Sequence, residues 1–331
     1  MTKDFQVCGL GNAIVDIFVE LPEAEFAATG FERGTMRLVE GPEQQELLTK
    51  FHAQEPRLAS GGSVANSLIG FSQLGGKAAF IGCIGDDRYG LFYQSEFVQL
   101  GIELGNSLIV GETSGTSVCL ITPDAERTMR TSLAVASHLA AKHIDERRIA
   151  SSEWLFVEGY VFANPETGQG AIRKAIEVAK AHGVKVAVTC SDAFIPHVFG
   201  DPLKEALAHA DLLFCNAAEA VALTGAGSAH AAFAALATVV PNVVVTDGPH
   251  GAHVRWHGEE SFAPAFACEP KDLTGAGDMF AGAFLYGVTH GVPAAKAARA
   301  ANFLCTKVIT QVGARLHHGT RGFWDDALAQ S

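Results

Sequence analysis

Short β-branched runs alternate with helix-period stretches through the second half of the chain. Trp154–Val157, Lys185–Thr189, Leu212–Cys215 and Asn242–Thr246 have the length and composition of buried strands. Between and after them the spacing predicts amphipathic helices over Gly168–Ala181, Pro202–Ala210, Ala217–Leu223 and Ala229–Val239. Such alternation predicts an α/β fold, a mostly parallel central sheet with helices on both faces. Ligands of such sheets bind beyond the C-terminal strand ends, so the residues just after each run carry most of the functional information.

The first half is less regular. Phe5–Gly9 has the pattern of a buried strand, whereas Val15–Glu20, Thr116–Thr122 and Thr128–Ser132 partly alternate apolar and polar positions. Alternating strands keep one open face and do not suit a sheet covered on both sides. They predict a small β-sheet lid, residues 13–40 and 106–134, on a large α/β domain of residues 1–12, 41–105 and 135–331. The alternative is that they are edge strands of a single sheet.

A chain of 331 residues with 48% hydrophobic and 18% charged positions can bury a large core. Its net charge of −12 argues against a nucleic-acid partner, without excluding a nucleotide ligand held at a helix N-terminus. Seven cysteines are scattered with no CxxC pair, a reduced pattern rather than a disulfide framework. No apolar run is long enough for a membrane span, and the first residues lack a signal-peptide layout. Cytoplasmic is the expected location.

The densest chemistry lies in Asp272-Leu273-Thr274-Gly275-Ala276-Gly277-Asp278-Met279-Phe280, ahead of an apolar helical pattern. Thr274 is the expected N-cap, and Gly275 and Gly277 allow a tight bend. Free amides and the positive end of the helix dipole then make an anion site. Asp278, one turn in, would repel a phosphate unless it takes a proton from the group attacking that phosphate. The combination predicts phosphoryl transfer to a hydroxyl; the bland alternative is a capped helix.

Other segments add to this picture. Ser60-Gly61-Gly62-Ser63-Val64-Ala65-Asn66 introduces a helix, with Gly61 and Gly62 as hinge or close-approach positions and Asn66 able to bind a substrate hydroxyl. Asp16, in Gly11-Asn12-Ala13-Ile14-Val15-Asp16, stands among apolar residues and suits a vicinal diol. Asn216 and Glu219 share a helix face after Leu212–Cys215, either ordering waters around Mg²⁺ or forming a capping box. Thr246-Asp247-Gly248-Pro249-His250-Gly251 closes another strand at nucleotide level. Arg127 and Arg130 lie in the lid, either over a phosphate or in a solvated hairpin.

In this order, GNxxxD, SGGSxAN, NxxE, TDGxxG and DxTGAGDxF, the motifs resemble those of the ribokinase-like (PfkB) carbohydrate kinases. Three further segments, Glu126–Thr131, Val157–Tyr160 and Ser191–Phe194, are most similar to bacterial members of the adenosine kinase branch. The resemblance implies a ribokinase-like fold, ATP and Mg²⁺ as cofactors, and Asp278 as base. It implies an anion hole from the amides of Gly275, Ala276 and Gly277, with Arg127 as lid arginine. Asn12, Asp16, Gly62 and Asn66 would hold substrate hydroxyls, and Asn216 and Glu219 the phosphates and Mg²⁺. Thr246, Gly248 and Gly251, with Thr274, would line the nucleotide site, and Asn302 would lie near adenine. Many members also bind K⁺, and Asp272 and Gly313 fall in the matching region.

The leading expectation is therefore ATP-dependent phosphorylation of a primary hydroxyl on a nucleoside, most simply adenosine. A sugar kinase for ribose, fructose or a keto-deoxy sugar acid is the alternative, and a non-catalytic ligand-binding protein a remote one. A nucleoside needs an apolar slot for its base, for which Phe162, Phe18 and Met36 are candidates, each equally suited to ordinary core. A sugar acid needs an extra cation beside Asp16 and Asn66. Monomer and lid-paired homodimer both fit the pattern.

Overall fold

The computed structural model of the protein describes residues 3–51, 56–105, 107–124 and 126–329. Its strands in chain order begin with β1 (Phe5–Leu10), β2 (Ile14–Glu20), β3 (Met36–Leu38), β4 (Arg57–Gly61), β5 (Ala78–Ile81), β6 (Cys83–Gly85), β7 (Ile102–Leu104) and β8 (Ser107–Ile109). They continue with β9 (Gly115–Ile121), β10 (Arg127–Ser132), β11 (Ser152–Val157), β12 (Lys185–Thr189), β13 (Leu212–Asn216), β14 (Asn242–Thr246), β15 (Gly251–Trp256) and β16 (Glu259–Pro264).

Nine of them form one sheet in the order β16-β15-β14-β13-β12-β11-β1-β5-β7. Pairing is parallel from β7 through β14, and the β15–β16 hairpin adds an antiparallel edge. The two-residue period of the strands divides the core. Val7, Phe156, Leu212 and Phe214 face the layer of helices Ser63–Gln73, Ala276–Thr289 and Ala294–Ile309. Leu10, Leu155, Val188 and Val245 face helices Gly168–Ala181, Gly200–Leu207 and Ala229–Leu236. Both sheet faces are thus covered, as the near-continuous apolar runs require.

A separate five-stranded sheet has the order β3-β10-β9-β2-β4. The lid strands expected near Val15, Thr116 and Thr128 all lie in it. It also takes in β4, antiparallel to β2, from a stretch the sequence assigned to the large domain. Ser107–Ile109, placed with the lid by sequence, instead pairs with β6 in a two-stranded ribbon.

The expectation of an open lid face does not hold. Phe26 and, from helix Gly41–Phe51, Leu47 and Phe51 join Ile17, Val19, Val118 and Leu120 in the core on one side. On the other, Phe18, Ala59, Cys119 and Ile121 form a smaller apolar cluster. Polar positions of the alternating strands, such as Ser117 and Thr131, line a cavity together with Asp16 rather than facing bulk water. Among the described residues no helix is long and apolar enough to cross a membrane.

Candidate active site

The cavity, about 520 Å³, opens where the C-terminal ends of β1, β11, β12 and β13 meet the second sheet. Asn12, Asp16, Gly62, Asn66, Asn216, Glu219, Thr246, Thr274, Gly275, Gly277 and Asp278 all lie on its wall. Segments more than 200 residues apart in sequence therefore converge on one space.

Helix Ala276–Thr289 brings Asp278 to the centre. Gly275, at φ 78°, takes the N-cap position expected of Thr274, and no side chain caps this helix end. A β-carbon on Gly275 would overlap the Ala314 carbonyl oxygen, so backbone closeness as well as the left-handed conformation demands glycine here. Among the described residues the amides of Gly277 and Asp278 meet no acceptor, whereas that of Ala276 closes a turn to Leu273 O at 3.3 Å. The helix thus presents uncapped donors into the cavity, and Ala276 contributes less to them than expected.

Asp278 is fixed at both oxygens. Ser63 Oγ donates to Oδ1 at 2.7 Å and Asn66 Nδ2 to Oδ2 at 3.1 Å. Burial pushes its carboxyl up to about 6, against these two donors. Ser63 was not singled out from sequence, although it stands inside a quoted motif.

Asp16 projects from β2 with no protein hydrogen-bond partner among the described residues. Burial raises it to about 6, opposed by Arg127 and Arg315 and reinforced by Asp278. Gly62, at φ 109°, passes so close to Asn12 O that a side chain would strike it. Asn12 and the Val64 amide are gathered by Glu158, which accepts from Asn12 N and Nδ2 at 3.3 and 3.1 Å and from Val64 N at 3.1 Å. Glu158 lies at the end of β11, is buried, and is pushed up to about 7 chiefly by that burial. Sequence gave it no role, because its partners are 94 and 146 residues away.

Asn216 and Glu219 form a reciprocal capping box: Asn216 Oδ1 accepts from Glu219 N, and Glu219 Oε2 from Asn216 N, each at 2.9 Å. Both nevertheless face the cavity, and burial lifts Glu219 to about 7, with Asp192 and Asp278 adding to the rise.

Several expected site residues stand elsewhere. Arg127 is off the cavity wall, in a buried ion pair with Asp272 and 5.5 Å from the Phe18 ring centroid. Asp272 also accepts from Gly313 N at 2.8 Å and Thr274 N at 3.0 Å. These donors and Arg127 hold its carboxyl below the usual range despite burial, so the expected monovalent-cation carboxylate is already answered by a cation of the chain. Asn302 ties its helix to β16 by donating to Ala263 O at 2.8 Å, away from the cavity. Gly248 and Gly251 shape the β14–β15 turn without lining the wall, and Gly61 backs Asp16. Arg130 donates to Thr35 O and Met129 O and stacks on Phe31 as part of the lid's own packing.

Five carboxylates, those of Asp16, Glu158, Asp192, Glu219 and Asp278, line this cavity, and among the described residues no Lys, Arg or His does. A bare polyphosphate would be repelled; one carrying a divalent cation suits both the carboxylates and the free helix amides. The glycine cradle, the uncapped amides and the Asn216–Glu219 pair thus fit a nucleotide with Mg²⁺.

A large parallel sheet with a smaller sheet over a carboxylate and an uncapped helix end is the arrangement that suits a phosphotransferase acting on hydroxyl groups. The sequence pattern of the pfkB family carbohydrate kinases matches residues 35–319, and the chain belongs to that family. The structure of adenosine kinase from Sinorhizobium meliloti superposes with a TM-score of 0.87 at 30% identity, covering 98% of this chain and 99% of that one. The probable sugar kinase of Rhizobium etli CFN 42 gives 0.88 at 27% identity, covering 99% of each. Ribokinase of Haemophilus influenzae is 28% identical over 277 residues, 81% of this chain and 87% of its own length. The chain is therefore an ATP-dependent kinase of small hydroxylated molecules, of the nucleoside and sugar class.

Proposed function

We propose that the protein phosphorylates the primary hydroxyl of a nucleoside, adenosine in the simplest case. The observation that carries this is the wall beside Asp16. Ile14, Met36, Leu38, Met129 and Leu133 make an apolar slot there, and among the described residues no Lys, Arg or His stands on the wall itself to meet a sugar acid. Met36 and Leu38 are 47% and 63% exposed, apolar surface available to a planar base. Of the three slot candidates named from sequence, Met36 lines the cavity, while Phe162 and Phe18 are core. The likeness to the Sinorhizobium meliloti adenosine kinase supports the same reading.

Asp16, which meets no protein donor among the described residues, accepts from the two vicinal hydroxyls of the ribose, and Asn66 helps to orient it. Asp278 takes the proton from the attacking hydroxyl, its carboxyl poised near neutral pH where a general base works best. The Gly277 and Asp278 amides receive the negative charge that develops on the transferring group. Mg²⁺-ATP supplies the phosphoryl group and the divalent charge. Glu219 faces that charge while holding its own helix end. Positioning and charge neutralisation carry most of the catalysis, since phosphoryl transfer needs little covalent help.

The test is acceptor-dependent ADP release with Mg²⁺-ATP across nucleosides, pentoses, hexoses and sugar acids, with and without K⁺. Adenosine should give the highest kcat/KM. A hexose or sugar acid outpacing every nucleoside refutes the nucleoside assignment while leaving the kinase intact. Tight binding with no turnover of any acceptor points to a ligand-binding protein instead.

A further inference from the structure

Behind the cavity, and outside its wall, one ion pair joins the two halves of the reaction centre. Arg315 follows Gly313 and Ala314, the segment on which Gly275 rests and whose Gly313 amide binds Asp272. Its Nη2 donates to both oxygens of Glu96 at 3.0 Å, and its Nη1 reaches Ser60 Oγ at 3.4 Å. Glu96, on helix Arg88–Gln99, accepts in turn from Ser60 N at 2.7 Å and Ser60 Oγ at 2.6 Å. The Arg315 and Glu96 side chains are 12% and 25% exposed. Ser60 is opposite Val15 in the β2–β4 ladder, one residue from Asp16, and leads directly into Gly61 and Gly62.

We propose that Arg315, Glu96 and Ser60 are positioning residues, a latch that holds the acceptor-binding strands in register with the phosphoryl-transfer loop, Arg315 adding a positive field at Asp16. The proposal rests on Asp16 as the ligand of the acceptor hydroxyls. A guanidinium is suited to the task because one nitrogen, Nη2, meets both Glu96 oxygens while the other, Nη1, reaches Ser60, so a single planar fork holds two partners at a fixed angle.

The charged and titratable groups facing Asp16 are Arg57 from β4, Arg127 from β10, Cys119 from β9, Tyr93 from helix Arg88–Gln99, Asp278 and Arg315. Arg315 opposes the upward push of burial on Asp16. Removing it should make Asp16 protonate at higher pH, so acceptor binding fades sooner as pH falls. A purely structural ion pair would not move that profile.

Kinetics between pH 5.5 and 8.5 with adenosine and Mg²⁺-ATP test the latch in Arg315→Met, Arg315→Lys and Glu96→Gln. Arg315→Met should raise the adenosine KM about tenfold near pH 6.5 and move its pH midpoint upward. It should cut kcat by about 10- to 100-fold, with the ATP KM within about twofold, as expected for a reacting group displaced by an ångström or less. Arg315→Lys should keep the midpoint but not kcat, and Glu96→Gln should repeat the kcat loss if folded by thermal melt. An unmoved midpoint in Arg315→Met, or equal rises in both KM values, overturns the latch. Asp16→Asn run in parallel separates the failures. If it abolishes adenosine use while Arg315→Met behaves as wild type, only the latch falls; if it leaves the adenosine KM unchanged, the acceptor assignment falls.

Discussion

Replacing Asp278 by asparagine isolates its chemistry because the surrounding hydrogen bonds can be kept. Ser63 Oγ, now donating to Oδ1, can equally accept, whereas Asn66 Nδ2 can only donate. A single flip of the new amide satisfies both, oxygen toward Asn66 and nitrogen toward Ser63. Fold and nucleotide binding should therefore survive, leaving only the lost proton acceptor to act on turnover. General-base contributions of about 10²- to 10⁴-fold correspond to about 2.7–5.5 kcal/mol of barrier. The wild type supplies an independent check. Its Asp278 carboxyl, raised to about 6, must be ionised to act as the proposed base, so kcat should fall as pH drops through that value. In Asp278→Asn this acid limb should vanish along with the rate. Rapid-quench measurement of a single turnover, with ATP affinity followed by titration calorimetry, gives both quantities. A variant whose kcat stays within tenfold of wild type, or a wild-type kcat flat from pH 5 to 7, would show that another group accepts the proton.

Gly275→Ala should lower kcat by about 100-fold or more with a smaller loss of thermal stability, since the β-carbon must displace either Ala314 or the anion loop; unchanged kcat would refute the cradle. Arg127→Met leaves Asp272 charged and buried without its cation, so denaturant unfolding should show a loss of about 3 kcal/mol. Asp16→Asn should abolish acceptor use yet raise the ligand-free Tm at pH 8 by about 2–4 °C. The sign follows from a folded carboxyl held near 6, above its ordinary value: its ionisation disfavours the folded state as pH rises past the unfolded value, a cost the amide lacks. Glu219→Gln should raise the Mg²⁺ concentration needed for half-maximal rate several-fold, measured at fixed ATP, because the cavity loses one of its five carboxylates.

Local chemistry was legible in the chain. The glycines around Asp278, the exposed need of Asp16 for a partner and the Asn216–Glu219 spacing all depend on neighbours within a few residues. What depended on tertiary pairing was not. Glu158 gathers Asn12 and Val64 across the molecule, and nothing near it in sequence announces that. Arg127 and Asp272, given separate roles by resemblance, neutralise each other because the fold brings β10 against the loop before helix Ala276–Thr289. β4 was missed because Arg57-Leu58-Ala59-Ser60-Gly61 is short and carries no β-branched residue. The alternation in β2 and β9 was real, but its polar side faces a ligand cavity rather than bulk water, a distinction periodicity does not make.

The hydrogen bond from Ser63 to Asp278 spans 215 positions of the chain, and that from Arg315 to Ser60 spans 255. Closing such loops is slow and comes late in assembly. A chain still lacking Asp278 and Arg315 in place would have neither the proposed base nor the proposed latch, whatever its earlier strands had formed. Recovery of turnover after dilution from denaturant accordingly times the completion of the entire molecule, not the appearance of any one piece.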